Sequence, residues 1–325
     1  MRAWCVTSVG EPAEVFELQD IPPPEPGAGM LQIKVEAAGL GLPDVLMCRG
    51  AYAFSPELPY RPGQEIVGVI SAVGEGVEDR VGERVMGVTT FYEGNGGFAE
   101  YCIAAANTVY SAPENISNEA AAGFTIPYHT AYIGLIERAA LKVGETVVVL
   151  GAAGGTGIAA IRLATALGAR VFAVASSDEK RRLCKSAGAE HCFDGASPEL
   201  VAQILEANGG AGVDVVYDPV GGEPFQQSIE YCASGARILA VGFASGACGD
   251  IPTSKLLFSN VSVMGVYVGA YSHEQMCGFH AKLLALYDEG AICVDSTHPI
   301  AFKDIPSGLQ QLADRKVSGK LVAQI

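Results

Sequence analysis

The order of segments predicts an α/β chain, with a β-rich unit first and a doubly wound parallel sheet after it. Three observations carry this prediction. Residues 1–110 read as short strands broken by glycine and proline, as in Ile21-Pro22-Pro23-Pro24-Glu25-Pro26-Gly27. From about residue 119, apolar strands alternate with helical stretches, the rhythm of repeated strand–helix–strand units. Between the first of those strands and its helix lies a glycine-rich turn, Gly151-Ala152-Ala153-Gly154-Gly155-Thr156-Gly157. Glycine is abundant throughout, 40 in 325 residues, against a usual ~7%. These glycines sit inside apolar, periodic segments, so they mark tight turns and close backbone approaches rather than disorder.

The elements follow in order. Residues 31–36, 65–73 and 98–103 are apolar or alternating stretches between turns and predict strands; no long helix is expected in this region. Ser111-Ala112-Pro113-Glu114-Asn115-Ile116-Ser117 marks the change of style. Residues 119–140 predict a helix pair interrupted near Pro127, which removes an interior hydrogen bond. Residues 146–150 are Thr146, three valines and Leu150, a buried strand. Helices at 158–167 and 179–187 end at Gly168 and Gly188, with a strand at 171–175 between them. Strands at 213–217, 238–241 and 261–266 come next, with a helix at 225–233 between the first two. The tail, 271–325, holds helices at 274–288 and 304–312 and a closing strand at 319–325, and is expected to return to the first unit. The domains so predicted are 1–120 completed by 268–325, and 121–267.

The turn at 151–157 follows a buried strand and opens a helix. A backbone that must turn sharply, approach a pyrophosphate and pack helix on strand can do all three only with glycine. Gly154, Gly155 and Thr156 then face a dinucleotide phosphate, which free N–H groups and the helix dipole attract. This predicts a Rossmann-type nucleotide site, although the spacing is G-x-x-G-G-x-G rather than G-x-G-x-x-G. The next strand decides the cofactor. An NAD site usually ends that strand with an acid about 20 residues beyond the glycines. Here Ala175-Ser176-Ser177-Asp178-Glu179-Lys180-Arg181-Arg182 puts a small neutral residue there, then two hydroxyls and a basic trio. Ser176, Ser177 and Lys180 are therefore expected to hold the 2′-phosphate of NADPH. Asp178 either caps the helix or pairs with Lys180.

Composition excludes other classes. A net charge of −15 repels phosphate backbones and anionic membranes, so neither nucleic acid nor membrane is an expected partner. Nine cysteines at irregular spacing, none in C-x-x-C, read as reduced thiols in a cytoplasmic protein. The start, Met1-Arg2-Ala3-Trp4-Cys5-Val6, reads as a first strand rather than a signal peptide, and no apolar run spans a membrane.

The set Ala37-Ala38-Gly39-Leu40-Gly41-Leu42-Pro43-Asp44, Arg49-Gly50-Ala51-Tyr52, Pro62-Gly63-Gln64-Glu65, Gly96-Gly97-Phe98-Ala99-Glu100-Tyr101, Gly151–Gly157, Tyr217-Asp218-Pro219-Val220-Gly221-Gly222 and Ser318-Gly319-Lys320 spans the chain. In content and order it resembles the zinc-independent medium-chain dehydrogenases/reductases of the NADPH:quinone oxidoreductase (zeta-crystallin-like) family. The resemblance implies a GroES-like catalytic domain, split between both ends of the chain around the Rossmann domain, and a homodimer. By analogy Thr130, Val241, Gly242, Phe243, Gly265 and Val266 line the nicotinamide side. Gly41 stands where the family usually carries asparagine, leaving a wider slot. Gly195 stands at about the place of a family tyrosine in the adenine region. The zinc alcohol dehydrogenases of this superfamily place a histidine in Gly-His-Glu; here Gln64, a poor ligand, takes that position, and no metal is expected.

Hydride transfer is the cofactor's chemistry, and a conjugated acceptor takes hydride without a metal. Tyr52 is the candidate proton donor: in related enoyl-thioester reductases a tyrosine at this point of the motif has that role, and a phenol suits a developing enolate. His129 is read as a lone, hydrogen-bonded structural histidine, and Asp44 as fixing its loop. The expected function is NADPH-dependent reduction of a small quinone or enone. The alternatives are an enoyl-thioester reductase, whose substrate calls for a basic entrance that Arg49, Arg61, Arg80 and Arg84 are too dispersed to form, and a non-catalytic NADPH-binding structural or regulatory protein.

Overall fold

The computed structural model describes all residues, Met1–Ile325, and divides them into two compact units. Unit 1 comprises Met1–Ile126 and Val294–Ile325; unit 2 is the uninterrupted stretch Pro127–Cys293. Along the chain the elements of unit 1 are β1 (Arg2–Val6), α1 (Pro12–Val15), β2 (Phe16–Asp20), β3 (Met30–Gly39), α2 (Leu42–Cys48), β4 (Glu65–Val73), β5 (Arg84–Val88), β6 (Tyr101–Ala105), β7 (Val109–Ser111) and α3 (Asn118–Ala121). Then come α4 (Thr125–Tyr132), β8 (Thr146–Val149), α5 (Gly155–Ala166), β9 (Arg170–Ala175), α6 (Asp178–Ser186), β10 (His191–Asp194), α7 (Leu200–Ala207), β11 (Val213–Asp218), α8 (Gly222–Ser228), β12 (Cys232–Ala240), α9 (Thr253–Ser259), β13 (Ser262–Gly265) and α10 (His273–Asp288). The chain closes with β14 (Thr297–Ala301), α11 (Ile305–Ala313) and β15 (Lys320–Gln324). No helix is long and apolar enough to cross a membrane.

Unit 1 is built on a seven-stranded sheet in the order β14-β15-β3-β4-β5-β7, with β6 also on β3. All its pairings are antiparallel except β14 with β15. Alternate residues of β3, among them Leu31, Ile33 and Val35, point into a core with Ile66, Ile70 and Phe98, against which Phe302, Ile305 and Leu309 pack.

Unit 2 is the predicted doubly wound sheet. Six strands run parallel in the order β10-β9-β8-β11-β12-β13. The three valines Val147–Val149 are wholly buried, as expected for a central strand covered on both faces.

Four expectations need correction. The break in the 119–140 helix falls at residues 122–124, and Pro127 lies inside the first turn of α4, where no N–H is required. Beyond it Ile133–Arg138 winds as a wide π-type turn, with Ala139 N–H reaching Gly134 O (2.9 Å). The helix expected at 225–233 ends by Tyr231, and β12 already begins at Cys232. The strand expected at 98–103 begins instead at Tyr101, because Phe98 exchanges its backbone bonds with Trp4 and Pro62. The helix expected at 274–288 belongs to unit 2, not to the returning tail: Phe279 of α10 stacks on Tyr132 (4.9 Å, 27°), and only Val294–Ile325 returns to unit 1.

Candidate functional site

In unit 2 the predicted nucleotide residues collect at one edge. Because β8, β9, β11, β12 and β13 are parallel, their carboxyl ends lie together, and β8, β9, β12 and β13 each carry predicted residues at or just beyond that end. The turn after β8 is tied to both neighbours: Leu150 N–H bonds Tyr217 O (3.0 Å) and Ala152 N–H bonds Val174 O (3.1 Å). Gly151 has φ +55°, and a Cβ there would lie 2.7 Å from Val220 Cγ2. A Cβ on Gly157 would lie 2.6 Å from the Ala152 carbonyl oxygen, so helix and turn pack only because it is glycine. Gly154 differs. Its φ of −79° suits any residue, and a Cβ there would meet only Gly151 O at 3.5 Å. It faces open space at the start of α5, whose first turn, led by Gly155 and Thr156, has no side-chain cap and no acid.

Helix α6, after β9, is finished locally. Ser177 Oγ accepts from Lys180 N–H (3.3 Å), and Asp178 and Glu179 occupy its first turn. Ser176 and Ser177 are exposed and Lys180 half-buried. Asp178 neither caps the helix nor pairs with Lys180 as expected; its carboxylate takes Arg181 Nη2 at 2.6 Å, which holds it below the usual range.

The loop after β12 is bound to the end of β11. Val241 N–H and Gly242 N–H both reach Asp218 O (2.9 and 3.2 Å), and Phe243 follows half-buried. The Asp218 carboxylate, raised by burial, accepts from Val220 N–H (2.7 Å) and Gly221 N–H (3.0 Å). In the sequence Asp218 stands out only as part of the Tyr217–Gly222 motif, with no sign of this role. Val266 N–H bonds Ala240 O (3.0 Å), and Gly265 O accepts from Arg138 Nε (3.1 Å). Thr130 sits half-buried on α4, just before the wide turn whose Gly134 lies against Tyr217.

His129, read as a lone histidine, is one of a pair. Its Nε2 lies 3.0 Å from His280 Nδ1, and both rings are buried. Burial lowers both, His129 to about 3 with His280 contributing, His280 to about 4. Their separation of 151 residues left no signal in the sequence.

In unit 1 the motif residues also converge. Asp44 accepts from Gly41 N–H (2.9 Å) and Gly63 N–H (3.1 Å), fixing the loop ahead of α2 to the start of β4. Burial pushes its carboxyl up to about 6, against those two bonds and the Lys320 charge. Glu65 pairs with Lys320 Nζ at 2.7 Å, both nearly inaccessible. Gln64 is buried, its amide 3.6 Å from Met47 Sδ. Nowhere do three His, Cys, Asp or Glu side chains gather as metal ligands. Tyr52 is half-buried, edge-on to Phe54 (5.9 Å), and packs against a cluster that includes Val6, Met47, Tyr60 and Phe91.

These two units define the class. Residues 27–114 match the alcohol dehydrogenase GroES-like domain, and residues 155–282 match the family described as zinc-binding dehydrogenase. The chain is 33% identical to quinone oxidoreductase-like protein 2 of Rattus norvegicus over 329 residues, covering 100% of this chain and 92% of that protein. Mycobacterial Rv1454c, solved in complex with NADPH, is 31% identical with a TM-score of 0.91, and both chains are covered in full. Escherichia coli quinone oxidoreductase, also solved with NADPH, is 26% identical with a TM-score of 0.90, again with both chains covered in full. The chain belongs to the quinone oxidoreductase family of zinc-independent medium-chain dehydrogenases/reductases, and it is an oxidoreductase.

Proposed function

We propose that this protein reduces neutral quinones or enones with NADPH. The observation that carries the reading is the carboxyl edge of the unit 2 sheet. There the α5 N-terminus opens, without a side-chain cap or acid, behind a Gly154 that a Cβ would fill, and the neighbouring strand ends in neutral Ala175. That arrangement fits a pyrophosphate on backbone N–H groups and tolerates a 2′-phosphate. Gly154, Gly155 and Thr156 hold the pyrophosphate; Ser176, Ser177 and Lys180 hold the 2′-phosphate. Thr130, Val241, Gly242, Phe243, Gly265 and Val266 position the nicotinamide end. NADPH, when bound, supplies the hydride. The chain's own residues orient the acceptor and deliver the proton. Tyr52 sits among apolar and aromatic side chains that suit a flat, neutral acceptor, and its phenol is the proton donor to the oxygen that gains charge. Asp44 holds the adjoining loop through two backbone bonds and takes no part in the proton transfer.

The protein acts as a homodimer. β13 closes one end of the six-strand order; exposed Val263 lies on it and exposed Tyr267 just after it, with exposed Leu257 and Phe258 on the preceding α9. An identical strand pairing there covers both the open backbone groups and the apolar side chains.

The test is loss of NADPH absorbance against 1,4-benzoquinone, 9,10-phenanthrenequinone, an α,β-unsaturated ketone and crotonyl-coenzyme A, with and without a chelator. Chelator-resistant turnover of a quinone or the ketone is expected. Tyr52→Phe should lower kcat by about 10²-fold or more while NADPH affinity holds. Turnover of the thioester alone would move the protein to enoyl-thioester reduction. Tight NADPH binding without any turnover would point to a non-catalytic role.

A further inference from the structure

Of the basic trio that opens α6, the structure fixes one guanidinium at the strand ends. Arg181 Nη1 donates to Ala175 O, the last carbonyl of β9, at 3.1 Å. The same nitrogen lies 3.3 Å from the carboxylate of Asp194, the last residue of β10, and Ala175 and Asp194 are register partners. Arg181 thus lies across two neighbouring strand ends, beside exposed Ser176 and Ser177. Its Nη2 holds Asp178 at 2.6 Å, and the Asp178 side chain is itself 81% exposed. Gly195, next after Asp194, adds no side chain of its own at this strand end; a Cβ there would meet only Val174 Cγ1 at 3.2 Å.

We propose that Arg181 reads the 2′-phosphate of the dinucleotide, and that Asp178 is the anion it exchanges for that phosphate. The inference rests on the NADPH reading above. A guanidinium carries five donors in a rigid fork and matches a phosphate with two of them. The phosphate bears about 1.5 to 2 negative charges against one for a carboxylate, so it displaces an exposed aspartate from the same donor. Asp194 and Ala175 O keep the guanidinium in place during the exchange. A dinucleotide without the 2′-phosphate leaves the Arg181–Asp178 pair intact. Asp178 therefore works as a built-in competitor that sets how strongly the site prefers NADPH over NADH.

The experiment is calorimetric titration of NADPH and NADH into the full-length protein and the variants Arg181→Ala and Asp178→Asn, with no acceptor present. Loss of a charged hydrogen bond predicts that Arg181→Ala weakens NADPH by about 10-fold or more and leaves NADH within about 3-fold. Asp178→Asn should tighten NADPH several-fold and leave NADH unchanged, a gain that a merely structural arginine does not produce. Equal weakening of both cofactors by Arg181→Ala overturns the assignment of Arg181. Unchanged NADPH affinity in Asp178→Asn overturns the exchange. If the wild-type protein does not distinguish NADPH from NADH, the NADPH reading itself fails, whatever the variants do.

Discussion

The buried histidines show what one side-chain pair does to the titration of the protein. His129 and His280 are kept neutral by burial, with folded-state values of about 3 and about 4 against an ordinary 6.5. A depressed histidine contributes stability above 6.5, and that contribution is lost as pH falls toward its folded value. Asp44 acts in the opposite sense. Its raised value of about 6 makes the carboxylate a liability that disappears as pH falls below that value, so one acid partly offsets two histidines. His280→Gln keeps a hydrogen-bonding side chain beside His129 and removes one titration. Its unfolding free energy relative to wild type should rise as pH falls from 6.5 to 4, by up to about 1.4 kcal/mol per pH unit; a constant difference across that range would contradict the assignment. At this scale the sequence was legible where backbone geometry dictates the residue, as at Gly151 and Gly157. It was silent where two residues meet only after folding: nothing near His129 announces His280, and nothing near Asp178 favours Arg181 over Lys180 as its partner.

Elements were legible in proportion to their burial. Antiparallel β4 matches its predicted span of 65–73. β8, β9 and β11 lie within a residue of theirs, because covered parallel strands are continuous apolar runs. β10 and α7 were not anticipated. β10 is four half-buried residues, His191–Asp194, at the sheet's outer end, too short and too mixed for either periodicity to register. Helix α5 starts three residues before its predicted start, since Gly155 and Gly157 are poor helix formers placed there for close packing. The opposite outer strand, β13, carries the dimer proposal. Val263 on it is 40% exposed and Phe258 on α9 is 85% exposed. Phe258→Asp combined with Val263→Lys should convert a dimer of about 67 kDa, twice the 33.7 kDa chain, into a monomer by light scattering. Wild-type protein that is already monomeric would sink the proposal.

Across the whole molecule, Met1–Ile126 and Val294–Ile325 make one unit, and Pro127–Cys293 makes the other. The two ends are joined by a contact that no local pattern foretells: Lys320 on β15 meets Glu65 on β4, 255 residues away. Gly39 makes room for it, since a Cβ there would lie 2.8 Å from Lys320 Cε. Removing Lys320 would strand a buried carboxylate, a loss of about 3–5 kcal/mol. The Lys320–Glu65 pair therefore helps close unit 1, while the nucleotide residues proposed for unit 2 share one sheet edge. Gly154 isolates that edge from the rest of the fold. Its φ is ordinary and a Cβ there would meet nothing closer than 3.5 Å, so Gly154→Val adds no backbone strain and places a side chain where the cradle opens. The measurement is NADPH affinity of wild type and Gly154→Val by calorimetry, with Tm recorded for both. The account predicts a Tm lowered by no more than about 4 °C, since Gly154 is the N-cap of α5, and affinity weakened by about 100-fold, the value of two backbone hydrogen bonds to a charged phosphate. Equal affinity in the two proteins would contradict it, because NADPH would then bind somewhere other than the turn at 151–157.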